Sequence, residues 1–180
     1  MTKDTQIRDL ITRLAKLESM HAWTAGLNPT QHAMLGYLAQ ANRFSRSPSH
    51  VAEYLGTTRG TATQSLKSLH QKGYVFEKRS DVDKRVIRYE LSETGREMAR
   101  LETPLQTALS SLSDTDKNRL GPALHGVLGT VLAANKGREF GLCKTCKHHQ
   151  SRDNAPYCAL LDVMLSPDET DQICHEQVSA

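Results

Sequence analysis

Apolar positions repeat with helical spacing along most of this chain, and the places where the period changes locate its strands. Ile7, Leu10, Ile11, Leu14 and Leu17 follow the spacing of one buried helical stripe, which predicts a first helix over residues 4–22. Asn28-Pro29 is a cap followed by a first-turn proline, and Met34, Leu35 and Leu38 give the inner face of a second helix ending near Asn42. Ser47-Pro48 repeats that signal and opens a short helix, Pro48 to Leu55, with Val51 and Leu55 on one face. Gly56 ends it, Thr57 or Thr58 caps the next helix, Ala62, Leu66 and Leu69 turn inward, and Gly73 closes it. The period then shortens. Tyr74–Arg79 and Val86–Leu91 are β-prone, Ile87, Tyr89 and Leu91 alternate onto one face, and the polar tip Ser80–Arg85 joins the two runs into a hairpin.

Ser92 starts a long helix whose Met98, Leu101, Leu105, Leu109 and Leu112 recur at nearly seven-residue spacing, suited to packing on another long helix, with a kink at Pro104. Ser113-Asp114 caps a last helix carrying Leu120, Leu124, Leu128, Val131 and Leu132. Gly126 and Gly129 lie inside that pattern, where each costs about 1 kcal/mol relative to Ala; they predict a close helix crossing at a subunit interface. A lone protomer leaves these long stripes uncovered.

At 180 residues, 38% hydrophobic and 24% charged, the chain has the composition of a soluble globular protein with one core and a small appendage. The net charge of +3 is mild, so its distribution matters more. Between residues 57 and 91, eight basic residues (Arg59, Lys67, Lys72, Lys78, Arg79, Lys84, Arg85, Arg88) face four acidic ones (Glu77, Asp81, Asp83, Glu90), a local +4. No run approaches the roughly 18 apolar residues of a membrane span, and the polar start MTKDTQIRD lacks the apolar stretch of a signal peptide. The expectation is a cytoplasmic protein with no membrane partner.

Two helices and a charged hairpin in immediate succession make a winged helix-turn-helix, flanked by N- and C-terminal helices: a mainly α fold with a small β wing. The residues resemble the MarR family of bacterial transcription regulators at Leu55, Thr63, Leu66, Leu69, Lys72-Gly73-Tyr74-Val75, Arg79, Asp83-Lys84-Arg85 and Leu91-Ser92 leading to Gly95. The resemblance covers about residues 5–135. It departs at Asp81-Val82-Asp83, where the family more often spaces its two acids by two residues, and at Gln64, where the family usually carries Arg. It implies a homodimer that reads double-stranded DNA, repressing its own or a neighbouring operon, often under a small-molecule effector or an oxidant. With Ala62, Leu66 and Leu69 inward, the outward positions Thr58, Arg59, Thr61, Gln64, Ser65 and Lys67 are the candidate DNA contacts, with Thr63 at the flank. Arg59 suits a guanine edge, Gln64 an adenine, and Thr61 a thymine methyl or a phosphate. Arg79, Lys84 and Arg85 bring the wing to the minor groove or backbone, with Asp83 orienting Arg85. One recognition helix reads too few bases for specificity, so a two-fold dimer on a pseudo-palindrome follows, with the terminal helices as its interface.

All four cysteines fall in the last 38 residues: Cys143, Cys146, Cys158 and Cys174, spaced Cys-x2-Cys-x11-Cys-x15-Cys. In a reducing compartment they point to metal ligation rather than disulfides. Four thiols satisfy a structural tetrahedral zinc ion, and the wide spacing is also compatible with an iron–sulfur cluster. Lys144 and Lys147 favour the thiolate form, and Tyr157, Leu160, Leu161, Val163 and Leu165 make a miniature core too small to stand without a staple. The expected division is a winged-helix and dimerisation domain, 1–136, and a four-cysteine metal-binding tail, 137–180. Two other classes remain in view. A protein-interaction adaptor predicts weak, sequence-blind DNA binding. An enzyme is not expected, because four thiols leave no open position on zinc.

Overall fold

The computed structural model describes residues 2–21, 23, 26–79 and 87–179. Helix α1 spans Lys3–His21, α2 Pro29–Gln40, α3 Pro48–Tyr54 and α4 Arg59–Gln71; β1, Val75–Arg79, and β2, Ile87–Leu91, follow. The caps are those the sequence signals. Asn28 and Gln31 form a capping box at α2, Ser47 caps α3, and Thr58 rather than Thr57 caps α4 by accepting from the Thr61 N–H at 3.1 Å. The turn between α3 and α4 is made by Gly56, whose φ of 62° lets its N–H reach the Glu53 carbonyl while the Thr57 N–H reaches Ala52. Gly73, at φ 80°, ends α4 in the same way, returning its own and the Tyr74 N–H to His70 and Leu69.

The core sits where α2, α3, α4 and the strands meet. Met34, Leu35 and Leu38 of α2, Val51 and Ala52 of α3, Ala62, Leu66 and Leu69 of α4, and Val75, Tyr89 and Leu91 of the hairpin are all buried there. Each fully buried leucine contributes about 1.5–3 kcal/mol, enough to fix which face of α4 remains outside. β1 and β2 pair antiparallel from Val75↔Leu91 to Arg79↔Ile87. The wing tip that should carry Asp83, Lys84 and Arg85 lies outside the described residues.

The long helix expected from Ser92 is two helices, α5 (Glu93–Ala99) and α6 (Pro104–Ser110). Thr103 and Gln106 form a full capping box in front of Pro104, so the proline opens a new helix instead of kinking an old one. α7, Asp114–Ala134, is capped by Ser113 as expected. Neither α1 nor α7 buries a single residue: Ile7, Leu10, Leu14, Leu17, Leu124, Val127, Leu128 and Val131 are all 43–61% exposed. Gly126 faces open space, and a Cβ on Gly129 would meet only the Glu139 side chain, so within the protomer neither supports a helix crossing.

The last forty residues fold as short strands: β3 (Gly141–Leu142) pairs with β7 (Ile173–Cys174), and β4 (His149–Arg152), β5 (Ala155–Cys158) and β6 (Val163–Met164) form a three-stranded sheet. This tail packs onto the helix-turn-helix. Phe140 and Ile173 are buried in the main core, and Phe140 lies edge-on against Tyr37 and Tyr54, with ring centroids 6.2 and 5.3 Å away.

Candidate functional site

Burying Ala62, Leu66 and Leu69 leaves a polar and basic face of α4 in solvent. Arg59, Thr61, Gln64 and Lys67 are exposed along it, while Thr63 and Ser65 are half-buried. Not all of these side chains are free to read DNA. The Thr58 hydroxyl is committed to its cap and pairs with the Thr61 hydroxyl at 2.9 Å, and the Thr63 hydroxyl donates back to the Arg59 carbonyl at 2.7 Å. Arg79 is exposed at the end of β1.

Between α3, α4 and the wing runs an open groove of about 560 Å³ lined by Ser47, Ser49, His50, Arg59, Thr63, Lys67, Glu77 and Arg88. Its floor is held by Tyr89, whose hydroxyl donates to Glu77 at 3.3 Å and whose pKa is raised to about 12 by burial and then by that carboxylate. The groove adds residues absent from the outward face of α4 alone. Arg88 projects from β2 over the Phe44 ring, 5.8 Å from its centroid, and its buried Nε has no partner among the described residues. Ser49 and His50 enter at the first turn of α3. Of this turn, only the Ser47-Pro48 cap is legible in the sequence.

His50 is stacked on His175 of the tail, centroids 3.8 Å apart, and its pKa is lowered to about 4 by burial and then by that second imidazole. His175 in turn meets Glu53 of α3 at 3.0 Å.

The four cysteines come from three separate segments. Cys143 and Cys146 form a turn in which the Cys146 N–H donates to the Cys143 carbonyl at 3.0 Å, Cys158 ends β5, and Cys174 lies in β7. All are free thiols; Cys143, Cys158 and Cys174 are buried and Cys146 is half-buried. Burial pushes the Cys143 thiol up to about 11, and the neighbouring Cys174, Cys158 and Cys146 push it the same way. Burial also raises the Cys174 thiol, against a smaller downward pull from the Asn42 side chain and the Glu176 backbone. Lys144, expected to favour the thiolate, is instead paired with Asp171. Among the described residues no three Cys, His, Asp or Glu side chains stand in the arrangement of a formed metal site. The donor set nonetheless fits a thiophilic ion. It consists of four thiols free of disulfides, three of them buried, with Cys143 and Cys158 packed in one cluster. Of the expected miniature core, Leu165 is buried with Cys143 and Cys158 and is flanked by Leu161 and Val163, whereas Leu160 is 46% exposed.

Comparison with known proteins places this geometry. Residues 25–86 match the model of the MarR family. The transcriptional repressor MprA of Escherichia coli (strain K12) is 32% identical over 100 residues, covering 53% of this chain and 57% of that protein. The chain thus spans under two thirds of the curated relative it matches. Among solved structures, MepR of S. aureus in its DNA-binding conformation superposes with a TM-score of 0.60 at 19% identity, covering 73% of this chain and 99% of that one. FabT of Streptococcus pneumoniae in complex with DNA gives a TM-score of 0.59 at 22% identity, covering 73% and 96%. No described helix is long and apolar enough to cross a membrane. Over residues 25–86 the chain is therefore similar to the MarR family.

Proposed function

We propose that this chain is a DNA-binding transcription regulator, a repressor that reads a pseudo-palindromic operator as a homodimer and carries a structural zinc ion on Cys143, Cys146, Cys158 and Cys174. The observation that carries the reading is the outer face of α4. Arg59, Gln64 and Lys67 project to solvent opposite the buried Ala62–Leu66–Leu69 stripe, beside a groove whose far wall is the wing. A helix exposed in this way fits the major groove, while Arg88 and Arg79 suit the adjoining phosphates. The unburied apolar faces of α1 and α7 support the dimer, which sets two such helices one turn of DNA apart. MprA is named a repressor and FabT was solved with DNA. Zinc would hold the four thiols as thiolates and tie together a tail of two- to four-residue strands.

Binding of fluorescent duplexes selected from randomised DNA tests this. Arg59→Ala and Lys67→Ala should each weaken binding and lower the salt slope by about one. Unchanged affinity and slope in both would remove α4 from the interface. Metal analysis on protein purified without oxygen should find about one zinc per chain; iron and sulfide would make the tail an iron–sulfur module instead.

A further inference from the structure

The cysteine cluster does not hang beside the DNA-reading unit. It is bonded to the segment that leads into α3. The Asn42 N–H donates to the Ile173 carbonyl at 2.9 Å, and the His175 N–H donates to Ser45 Oγ at 2.8 Å, so both neighbours of Cys174 are tied to residues 42–45. Asn42, 1% exposed, closes the loop: its Oδ1 accepts from Ser45 Oγ and the Phe44 N–H.

The other side of the same segment touches the wing. The Arg46 carbonyl accepts the Tyr89 N–H of β2 at 3.0 Å, and the next residue, Ser47, caps α3. Phe44 packs on Cys143, Cys158 and Leu165, and it is the ring over which Arg88 of the wing lies. Residues 42–47 are therefore a spacer with thiols on one face and the DNA groove on the other.

We propose that metal occupancy of the four-cysteine site sets the affinity of the winged helix for DNA, through Asn42, Phe44 and the Ile173–His175 strand, with the metal-loaded protein as the tight-binding form. This rests on the reading of the cysteines as a metal site. Without a metal, no covalent or coordinate link joins the three segments that bear the thiols, and strands this short do not hold themselves together. Phe44 then loses its seat and residues 42–45 lose the partners on either side of Cys174, so Arg88 and the start of α3 lose their common support. By linkage, DNA must tighten metal binding by the same factor by which metal tightens DNA binding.

The test uses the full chain, zinc as the probe and a selected duplex, with anisotropy for affinity and amide hydrogen exchange for structure. Removing zinc with a chelator should weaken DNA binding roughly tenfold, a usual size for coupling between sites. It should speed exchange in 41–47 and 87–91 while the buried stripe of α4 stays protected. Two variants should keep stoichiometric zinc but lose most of this response: Ser45→Ala, which removes the acceptor of the His175 N–H, and Phe44→Ala, which removes the platform under Arg88. Stoichiometric zinc with equal DNA affinity in its presence and absence would overturn the coupling and leave the metal site standing. Loss of protection throughout α4 on chelation would overturn the proposed route, because the effect would then be general unfolding. Purified protein that holds neither zinc nor iron would overturn the metal reading and the coupling with it.

Discussion

Gly95, on the buried side of the first turn of α5, sits against the base of the wing, and replacing it with Ala tests how tightly that base is built. Ser92, the cap of α5, donates its backbone N–H to the Tyr74 carbonyl at 3.0 Å and its hydroxyl to Gly73 at 2.7 Å, drawing the helix onto the strand end. A Cβ at position 95 would collide with the Tyr74 carbonyl oxygen and lie 3.0 Å from its carbon and 3.3 Å from Leu91 Cδ2. The nearest obstacle is backbone, so no side chain can swing aside. Alanine would favour the helix by about 1 kcal/mol at most. Against that stand about 1–3 kcal/mol of overpacking and about 1 kcal/mol for a stretched Ser92–Tyr74 hydrogen bond. The clash wins, by about 2–3 kcal/mol at the upper end of the overpacking range. For a chain of this size that lowers the thermal midpoint by about 4–12 °C, measured by calorimetry at fixed protomer concentration and saturating zinc. A midpoint within about 1 °C of the parent would refute the close approach of α5 to the wing base.

Leu10→Glu with Leu14→Glu places charge on side chains 61% and 47% exposed in the protomer, so sedimentation should show monomers with helix content kept; an unchanged dimer would move the interface off α1. Cys143→Ser should release zinc and make residues 137–180 the first site of proteolysis, and full zinc retention would take that thiol out of the ligand set. His50, with a folded pKa near 4, resists the proton that the unfolded chain accepts near 6.5. Its contribution is complete above about pH 6.5 and is lost as pH falls toward 4, so its imidazole should stay neutral at pH 5 in an NMR titration; half-protonation near 6.5 would contradict the buried stack on His175.

The helix-turn-helix was legible because its signals are local. The Ala62–Leu66–Leu69 stripe, the Ser47 and Thr58 caps and the glycines at 56 and 73 each act within a few residues. The break at Thr103 was legible in principle, since Thr-Pro-x-Gln is a capping box, but the leucine spacing on either side of it suggested one continuous stripe. Docking of the tail was not legible. It depends on backbone hydrogen bonds and ring contacts such as Asn42 to Ile173 and Tyr37 to Phe140, which join residues a hundred or more positions apart and leave no periodicity. For the same reason Arg88 was visible as charge but not as a member of the groove, and Phe44 carried no signal at all.

Whether the exposed face of α4 reads sequence is decided by competition binding at about 150 mM salt. The duplex most enriched by selection is compared with an unrelated duplex of equal length. Two protomers should occupy the selected duplex, which should be preferred by about a thousandfold or more. Similar affinity for both duplexes, falling steeply with salt alike, would contradict it and leave a chain that binds DNA only as a polyanion.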